Sequence, residues 1–245
     1  MEKDNINNDT FFCNIAELIT EFPTARGLAS RCKDYMCQKT DTPDIVIKKE
    51  QFKYSRYAGL TEEQMNYLEA GWIFYRYLLG FDGFYLHASA VTLGGRAYLF
   101  SAPSGTGKST HTRMWQQTFG DDAKVFNDDK PALRRVDGVW RAYGTPFCGK
   151  DHININMNAP LGAICFLKQA NHNKIRRLTS AEAVQNILTQ TFNRFKNPER
   201  LDIMARLVED VVLKIPVFEL ECLPDEQAAM LSFTTMEKAA KEAGL

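Results

Sequence analysis

The sequence lacks the features that would place this protein in several common classes. Lysine plus arginine and aspartate plus glutamate both number 30, so there is no overall positive charge to attract nucleic acid. No apolar run approaches the roughly 20 residues that a membrane-spanning helix needs. The first nine residues are polar and acidic, unlike a secretory signal. We therefore expect a cytoplasmic protein that binds neither nucleic acid nor a membrane.

Cysteine is sparse, and none of the six cysteines stands in a C-x-x-C pair. A zinc ribbon or a thioredoxin-like redox site is therefore not expected. Scattered cysteines in a cytoplasmic chain are usually reduced residues that pack in the interior. What the chain does contain is an ordinary globular composition, with 44% hydrophobic and 24% charged residues among 245. That length suits one large domain or two small ones.

One stretch, residues 97–110, has the pattern of a phosphate-binding loop. An apolar run that predicts a strand is followed by Ser104, Gly105, Thr106, Gly107, Lys108, Ser109 and Thr110. Glycines let successive backbone N–H groups converge on an anion, the following helix adds about half a positive charge, and a lysine neutralises phosphate. Ser109 would place its hydroxyl on a magnesium ion held by the same phosphates. The alternative is a glycine-rich turn that only happens to precede a helix.

A pair of aspartates follows the loop by about twenty residues. A predicted strand over residues 124–127 runs into Asp128 and Asp129. Two carboxylates at the end of an apolar strand are typical of a site where one holds magnesium and the other accepts a proton from a hydroxyl. The alternative is a solvated turn, and the sequence leaves open which aspartate has which role.

Two further candidates flank these motifs. Residues 84–93 predict a strand that contains His87, and Gly94-Gly95 predicts a hairpin turn into the strand before the loop. His87 would lie either near the phosphate site or in the core as a hydrogen-bonded histidine. Residues 143–150 predict either an active-site loop or an ordinary one. In the first case Lys150 would neutralise a phosphate or a carboxylate, with Cys148 close by.

The remaining patterns give the other elements. The clearest is a capping box at Thr61 and Gln64, which begins a predicted helix over residues 61–79. Residues 10–60 give mixed signals, with strand or helix at 11–21, helix at 24–38 and strand at 44–49. Further helices are predicted at 108–119, 181–195, 198–213 and from Asp225 onward. Further strands are predicted at 132–135, 139–143, 152–158, 161–167 and 216–223.

Together, residues 84 to about 223 resemble the C-terminal domain family of HPr kinase/phosphorylase, which shares its nucleotide core with ATP-dependent phosphoenolpyruvate carboxykinase. The matching residues are His87, the loop at 104–110 and the pair Asp128-Asp129. Residues 144–150 (Gly-Thr-Pro-Phe-Cys-Gly-Lys) resemble a loop of small HPr-kinase-like proteins in peptide-modification gene clusters. The resemblance implies an α/β fold: a P-loop nucleotide-binding core of the HPr kinase/carboxykinase type, with a mixed sheet, over residues 61–245. Residues 1–60 would be a small N-terminal α+β portion, a lid or a substrate-binding region.

The resemblance also implies an ATP- and Mg²⁺-dependent kinase that transfers phosphate to a hydroxyl, such as a serine of a peptide, a protein or a small molecule. Residues 104–110 would bind ATP, and Ser109 and Asp129 would hold Mg²⁺. The catalytic residues would be Asp128, His87, Lys108 and Lys150. The chain lacks the C-terminal signature of full-length HPr kinases, so HPr itself is not the expected substrate. A non-catalytic ATP-binding regulator and a carboxykinase-like enzyme acting on an oxo-acid are the alternatives. The HPr kinase family tends to form oligomers, so a homo-oligomer is one possibility, and the sequence leaves the oligomeric state open.

Overall fold

A computed structural model describes residues 10–149, 151–191 and 197–245 of the chain. Within these ranges the protein is a mixed α/β structure with two sheets, one of three strands and one of nine. The helices are α1 (Leu28–Arg31), α2 (Glu62–Leu78), α3 (Lys108–Phe119), α4 (Ser180–Thr189), α5 (Pro198–Lys214) and α6 (Glu226–Glu242). The strands are β1 (Thr10–Ile15), β2 (Leu18–Pro23), β3 (Ile45–Val46), β4 (Gly83–Tyr85), β5 (Ala88–Leu93), β6 (Arg96–Ser101), β7 (Lys124–Asn127), β8 (Ala132–Val136), β9 (Val139–Tyr143), β10 (Asn158–Gln169), β11 (Lys174–Arg177) and β12 (Val217–Cys222).

The N-terminal sheet resolves the ambiguous signals of residues 11–21. β1 and β2 form an antiparallel hairpin, and β3 pairs in parallel with β2. The helix predicted over 24–38 is wrong in length, since only α1 and a 3₁₀ turn at Lys33–Tyr35 are helical. The chain leaves the helical path because Met36 bridges to Cys13 of β1 and the N–H of Cys37 donates to the carbonyl of Phe12.

Helix α2 begins where the capping box predicted it. The Thr61 hydroxyl accepts from the Gln64 N–H, and the Gln64 side chain accepts from the Thr61 N–H. The buried face of α2 includes Phe74 and Leu78, which belong to a hydrophobic cluster shared with the N-terminal sheet and with β8 and β9. The helix is therefore packed against strands from both sheets.

The large sheet has the order β4-β8-β9-β10-β6-β5-β7, and β12 pairs with β10 and β11. β10 is parallel to β6 and β12, whereas β5 is antiparallel to both of its neighbours, β6 and β7. β6 and β7 consequently point the same way, with β5 running against them between the two. The ends of β6 and β7 and the start of β5 therefore lie at one edge of the sheet.

Helices cover both faces of this sheet. Alternate residues of β6 and β10 point to opposite faces, as the two-residue period of a strand requires. Leu99 and Ile164 belong to the cluster that contains α4 and α5 residues, whereas Phe100 and Cys165 belong to the one that contains α3 and α6 residues. None of the helices in the described part of the chain is long and apolar enough to cross a membrane.

Three sequence predictions need local corrections. The strand predicted over 84–93 is broken into β4 and β5, and His87 lies in the break. The strand predicted over 152–158 does not form, since residues 152–157 precede β10 without regular strand structure and their one bridge joins Asn154 to Asn127, the last residue of β7. The helix predicted from residue 181 begins one residue earlier, at Ser180, and is capped by Thr179. It ends at Thr189, so the predicted extent to about residue 195 is wrong, and residues 192–196 lie outside the described residues.

Gly144, just after β9, lies against another segment of backbone. A Cβ at this position would be 1.9 Å from the carbonyl oxygen of Ile155 and 3.1 Å from that of Phe126. Because backbone atoms cannot rotate away, we expect Gly144→Ala to lower the free energy of unfolding by roughly 3 kcal/mol. Gly80→Ala is the control, since a Cβ there meets nothing within 4 Å. Urea unfolding measures both, and equal stability of the two variants would contradict this account.

Candidate functional site

The register of β5, β6 and β7 brings three sequence motifs to one edge of the large sheet. Ala88, the first residue of β5, pairs with Ser101, the last residue of β6. Two residues further along β5, Ala90 pairs with Asn127 at the end of β7. His87, the glycine loop after β6 and the aspartates after β7 are therefore neighbours.

The glycine loop wraps around the amino group of a buried lysine. Gly105 and Gly107 have φ angles of 80° and 114°, which L side chains rarely adopt, and Gly107 is the N-cap of α3. Lys108, only 8% exposed, donates from Nζ to the carbonyl oxygen of Ala102 at 2.9 Å. Burial lowers the pKa of Lys108, and the charge of Asp129 opposes that shift. The loop therefore places one cation beside the aspartate pair.

Two grooves lie beside this loop. One, of about 740 Å³, is bordered by residues 102–106, the end of β10 and the end of α4, including Gln190. The other, of about 400 Å³, is bordered by residues 105–107, Thr110 and the segment after β12. Ser104 and Thr110 are exposed, and Ser109 is half-buried in the first turn of α3. Residues 104–107 and Thr110 thus border space large enough for a ligand on two sides, whereas Lys108 and Ser109 line neither groove.

Asn127 shapes the turn that carries the two aspartates. Its buried side-chain oxygen accepts from the N–H groups of Asp129 at 3.2 Å and Lys130 at 2.9 Å. Its side-chain nitrogen donates to the carbonyl of Thr145 at 3.0 Å. The sequence analysis missed this role, although an asparagine that accepts from N–H groups two and three residues on is a known turn signal.

Asp129 is held between two basic side chains. One carboxylate oxygen lies 3.2 Å from Nε2 of His87, and the other accepts from Lys130. Burial would raise the pKa of Asp129, but the hydrogen bonds and charges of His87 and Lys130 outweigh it and lower the pKa to about 2. Nδ1 of His87 is 3.0 Å from the side-chain oxygen of Gln190, which fixes the ring. Asp129 is therefore a permanent anion near neutral pH.

Asp128 has a different environment. It is 7% exposed, and one carboxylate oxygen accepts from the N–H of Gly149 at 2.8 Å. The backbone N–H of Asp128 itself also acts on the carboxylate, and no other residue in the described part of the chain donates to the second oxygen. Burial raises the pKa of this carboxyl, with a smaller contribution from the charge of Asp129. A buried carboxylate with a raised pKa is suited to accepting a proton.

The glycine-bracketed loop at 144–149 is tied to the aspartate turn and to α2. The hydroxyls of Thr145 and Tyr75 both donate to the carbonyl of Lys130, at 3.0 and 2.6 Å. Cys148 is buried, and burial raises the pKa of its thiol, so it is not set up as a nucleophile. Lys150 lies outside the described residues.

A comparison with protein-family models matches residues 58–223 to the SynChlorMet cassette protein ScmC. The chain belongs to the ScmC family. The matched range contains all the site residues described above. Among solved structures, the HPr(Ser) kinase/phosphatase from Coxiella burnetii matches with a TM-score of 0.37 and 10% identity, over 64% of this chain and 91% of that one. A TM-score this low supports no conclusion about the site or the core type. A search of curated proteins gave no significant match.

In this ScmC-family chain, the hydroxyl of Tyr67 on α2 fixes the loop beside Asp128. It accepts from the N–H of Cys148 at 2.7 Å and donates to the carbonyl of Pro146 at 3.0 Å. Tyr67→Phe leaves that N–H without its partner, so we expect the free energy of unfolding to fall by about 1–3 kcal/mol. The position of the Asp128 carboxylate should also change, because the next residue, Gly149, donates to it.

The matched control is Tyr77→Phe on the same helix. The hydroxyl of Tyr77 accepts from the side chain of Gln51 at the surface, so its removal should change stability by less than about 0.5 kcal/mol. Urea unfolding of both variants gives the comparison. A Tyr67 variant as stable as the Tyr77 variant would show that the loop does not depend on this hydroxyl.

Proposed function

We propose that this ScmC-family chain is an ATP- and Mg²⁺-dependent kinase that transfers the γ-phosphate of ATP to a hydroxyl group. The observation that supports the proposal is that two adjacent aspartates at one edge of the sheet have opposite pKa shifts. Asp128 is a buried carboxylate with a raised pKa, whereas Asp129, beside Lys108, has a pKa lowered to about 2. Phosphoryl transfer needs a proton acceptor, which Asp128 would supply. It also needs concentrated positive charge, which Lys108 and the basic side chains around Asp129 would supply.

On the donor side, the loop at 104–110 would bind the phosphates of ATP. N–H groups of the loop and of the first turn of α3 would point at the phosphate oxygens, and Lys108 would neutralise charge on the β- and γ-phosphates. Lys150 would add a second cation there. His87, fixed by Gln190, would hold Asp129 in position.

The magnesium ligands proposed are Ser109 and Asp129. No group of three or more His, Cys, Asp or Glu side chains forms a metal cluster in the described ranges. Mg²⁺ bound with a nucleotide needs only one or two protein ligands, because phosphates and waters supply the rest, so a low-pKa carboxylate and a hydroxyl fit. When bound, Mg²⁺ neutralises charge that develops on the phosphate oxygens.

On the acceptor side, Asp128 would take the proton of the attacking hydroxyl. The hydroxyl oxygen forms a bond to the γ-phosphorus, the bond to the bridging oxygen of ADP breaks, and ADP leaves. The acceptor would be a serine of a peptide, a protein or a small molecule. Residues 1–60 would help to admit it, and residues 61–245 would form the kinase core.

Incubation of the protein with [γ-³²P]ATP and a panel of acceptors tests the proposal. The panel contains free serine, serine-bearing peptides and an oxo-acid such as oxaloacetate. Label transferred to a hydroxyl supports the kinase. Nucleotide binding without transfer to any acceptor would favour a non-catalytic regulator, and turnover of the oxo-acid alone would favour a carboxykinase-like enzyme.

A further inference from the structure

A separate cleft of about 330 Å³ adjoins the aspartate site from the side of the N-terminal region. Arg31, Gln64, Tyr67 and His152 are among its walls, and so is Gly149. The N–H of Gly149 also donates to Asp128, so one residue of the cleft wall is in direct contact with the proposed base. A molecule bound in this cleft is therefore well placed to present a hydroxyl to Asp128.

Arg31 supplies the cleft with a guanidinium group that has unused donors. The group lies over the ring of Tyr67, 5.2 Å from its centroid, and Nη1 is 2.7 Å from Nδ1 of His152. Its Nε is 3.9 Å from a carboxylate oxygen of Glu63, which is too far for a hydrogen bond. Across the described residues, only Nη1 has a hydrogen-bond partner. The remaining N–H groups form the planar fork that binds a carboxylate through two hydrogen bonds.

The backbone at His152 holds its side chain against Arg31. His152 has a φ of 54°, in the left-handed region that non-glycine residues rarely adopt, and its N–H donates to the carbonyl of Gly149 at 3.1 Å. Strained residues of this kind concentrate at binding and catalytic sites. The guanidinium of Arg31 is thus fixed by the phenol ring of Tyr67 on one side and by the imidazole of His152 on another.

The charges around the cleft favour a ligand with one negative charge. Arg31 is the cation among the described wall residues, and the carboxylates of Glu63 and Asp128 lie nearby. A dianion would bring a second charge that nothing in this set neutralises. We propose that the acceptor carries a carboxylate, which Arg31 binds in this cleft while the acceptor hydroxyl reaches Asp128. This proposal rests on the kinase function and names the class of its acceptor.

A carboxylate beside a hydroxyl has two sources, a free hydroxy amino acid or the C-terminal residue of a peptide. The probes are therefore L-serine, the tripeptide Gly-Gly-Ser and the same tripeptide with a C-terminal amide. Calorimetry measures their binding to the full chain in the presence of ADP and Mg²⁺. We expect at least one carboxylate probe to bind about tenfold or more tightly than the amide, as a charge-assisted hydrogen bond predicts.

Arg31→Gln should abolish that difference, whereas Arg31→Lys, which keeps the charge but loses the fork, should retain only part of it. Arg206→Gln, at an exposed position on α5 away from the cleft, is the control and should bind as the unaltered protein does. Tighter binding of L-serine indicates a free amino acid, and tighter binding of Gly-Gly-Ser indicates a peptide terminus. Either result supports the proposal.

Equal binding of the amide and carboxylate probes, or no binding of any probe, would overturn the proposal. So would a carboxylate preference that survives in Arg31→Gln, or Arg31-dependent binding of inorganic phosphate that is tighter than that of L-serine. The kinase function is tested separately by label transfer. Carboxylate binding without any transfer would leave the cleft as a ligand site and reject the kinase.

Discussion

Replacing Lys108 with alanine is expected to remove nearly all phosphoryl transfer. The Nζ of Lys108 lies inside the glycine loop, next to Asp129, where in the proposed kinase its positive charge would stabilise the transferring phosphate. Loss of one such preorganised group costs roughly 10²- to 10³-fold in rate, and a fully charged one in a phosphoryl-transfer site costs more. ATP binding should weaken as well, because in the proposed function the lysine would contact the phosphates before and during the reaction.

Lys124→Ala is the matched control, since Lys124 is an exposed lysine at the start of β7. Transfer is measured with labelled ATP, and binding with a fluorescent ATP analogue. We expect the Lys124 variant to behave as the unaltered protein does in both assays. Ordinary turnover by Lys108→Ala would refute the assignment of the loop.

Replacing Asp128 with asparagine is expected to stop transfer while leaving nucleotide binding within about threefold. The amide oxygen of asparagine still accepts from the N–H of Gly149, so the loop keeps its position, but the side chain no longer takes up a proton. Loss of a general base costs on the order of 10²- to 10⁴-fold. The contrast with Lys108→Ala, which impairs binding too, separates proton transfer from nucleotide binding.

The pH profile provides a second check on Asp128. Because burial raises its pKa, the carboxylate takes up a proton at a higher pH than an ordinary aspartate does. The rate of the unaltered protein should fall as the pH drops through that raised value, since only the deprotonated form accepts a proton. Asp122→Asn, at an exposed turn before β7, should leave both the rate and the profile unchanged. A profile with no acidic limb above the range of ordinary aspartates would contradict the role of Asp128.

The turn of the N-terminal hairpin is a feature that the sequence did not predict. Its turn residues, Ala16 and Glu17, have φ angles of 54° and 60°, a geometry that usually requires Asn-Gly or Asp-Gly. The strain is tolerated because the hairpin is packed, and the carbonyl of Ala16 accepts from the guanidinium of Arg134 in the large sheet. A turn that depends on a contact 118 residues away has no local signal. By contrast, Asp137-Gly138 has that signal, and it forms the turn between β8 and β9, where the sequence predicts strands at 132–135 and 139–143.

In the site, too, some features follow from the local sequence and others from contacts between distant residues. Positive φ at Gly105 and Gly107 and the cap at Thr61 are set by residues a few positions apart, so the sequence alone predicts the loop and the helix. The hydrogen bonds that set the environment of the carboxylates join residues far apart in the sequence. Gly149 donates to Asp128, Gln190 binds His87, and Tyr67 binds the loop at 144–149. No spacing rule predicts these, because packing of separate elements decides them.

For this protein, the sequence by itself determined the chemical groups at 104–110 and 128–129 and the elements that carry them. Those features follow from local backbone geometry and side-chain chemistry. The hairpin turn at Gly94-Gly95 also predicted that β5 is antiparallel to β6. The tertiary structure alone decided that β7 pairs with the other side of β5, which brings His87, the glycine loop and the aspartates to one edge. It also decided that Arg31 faces the cleft beside Gly149. Strand order and side-chain neighbours depend on which distant surfaces bury each other, and that information is spread over the whole chain.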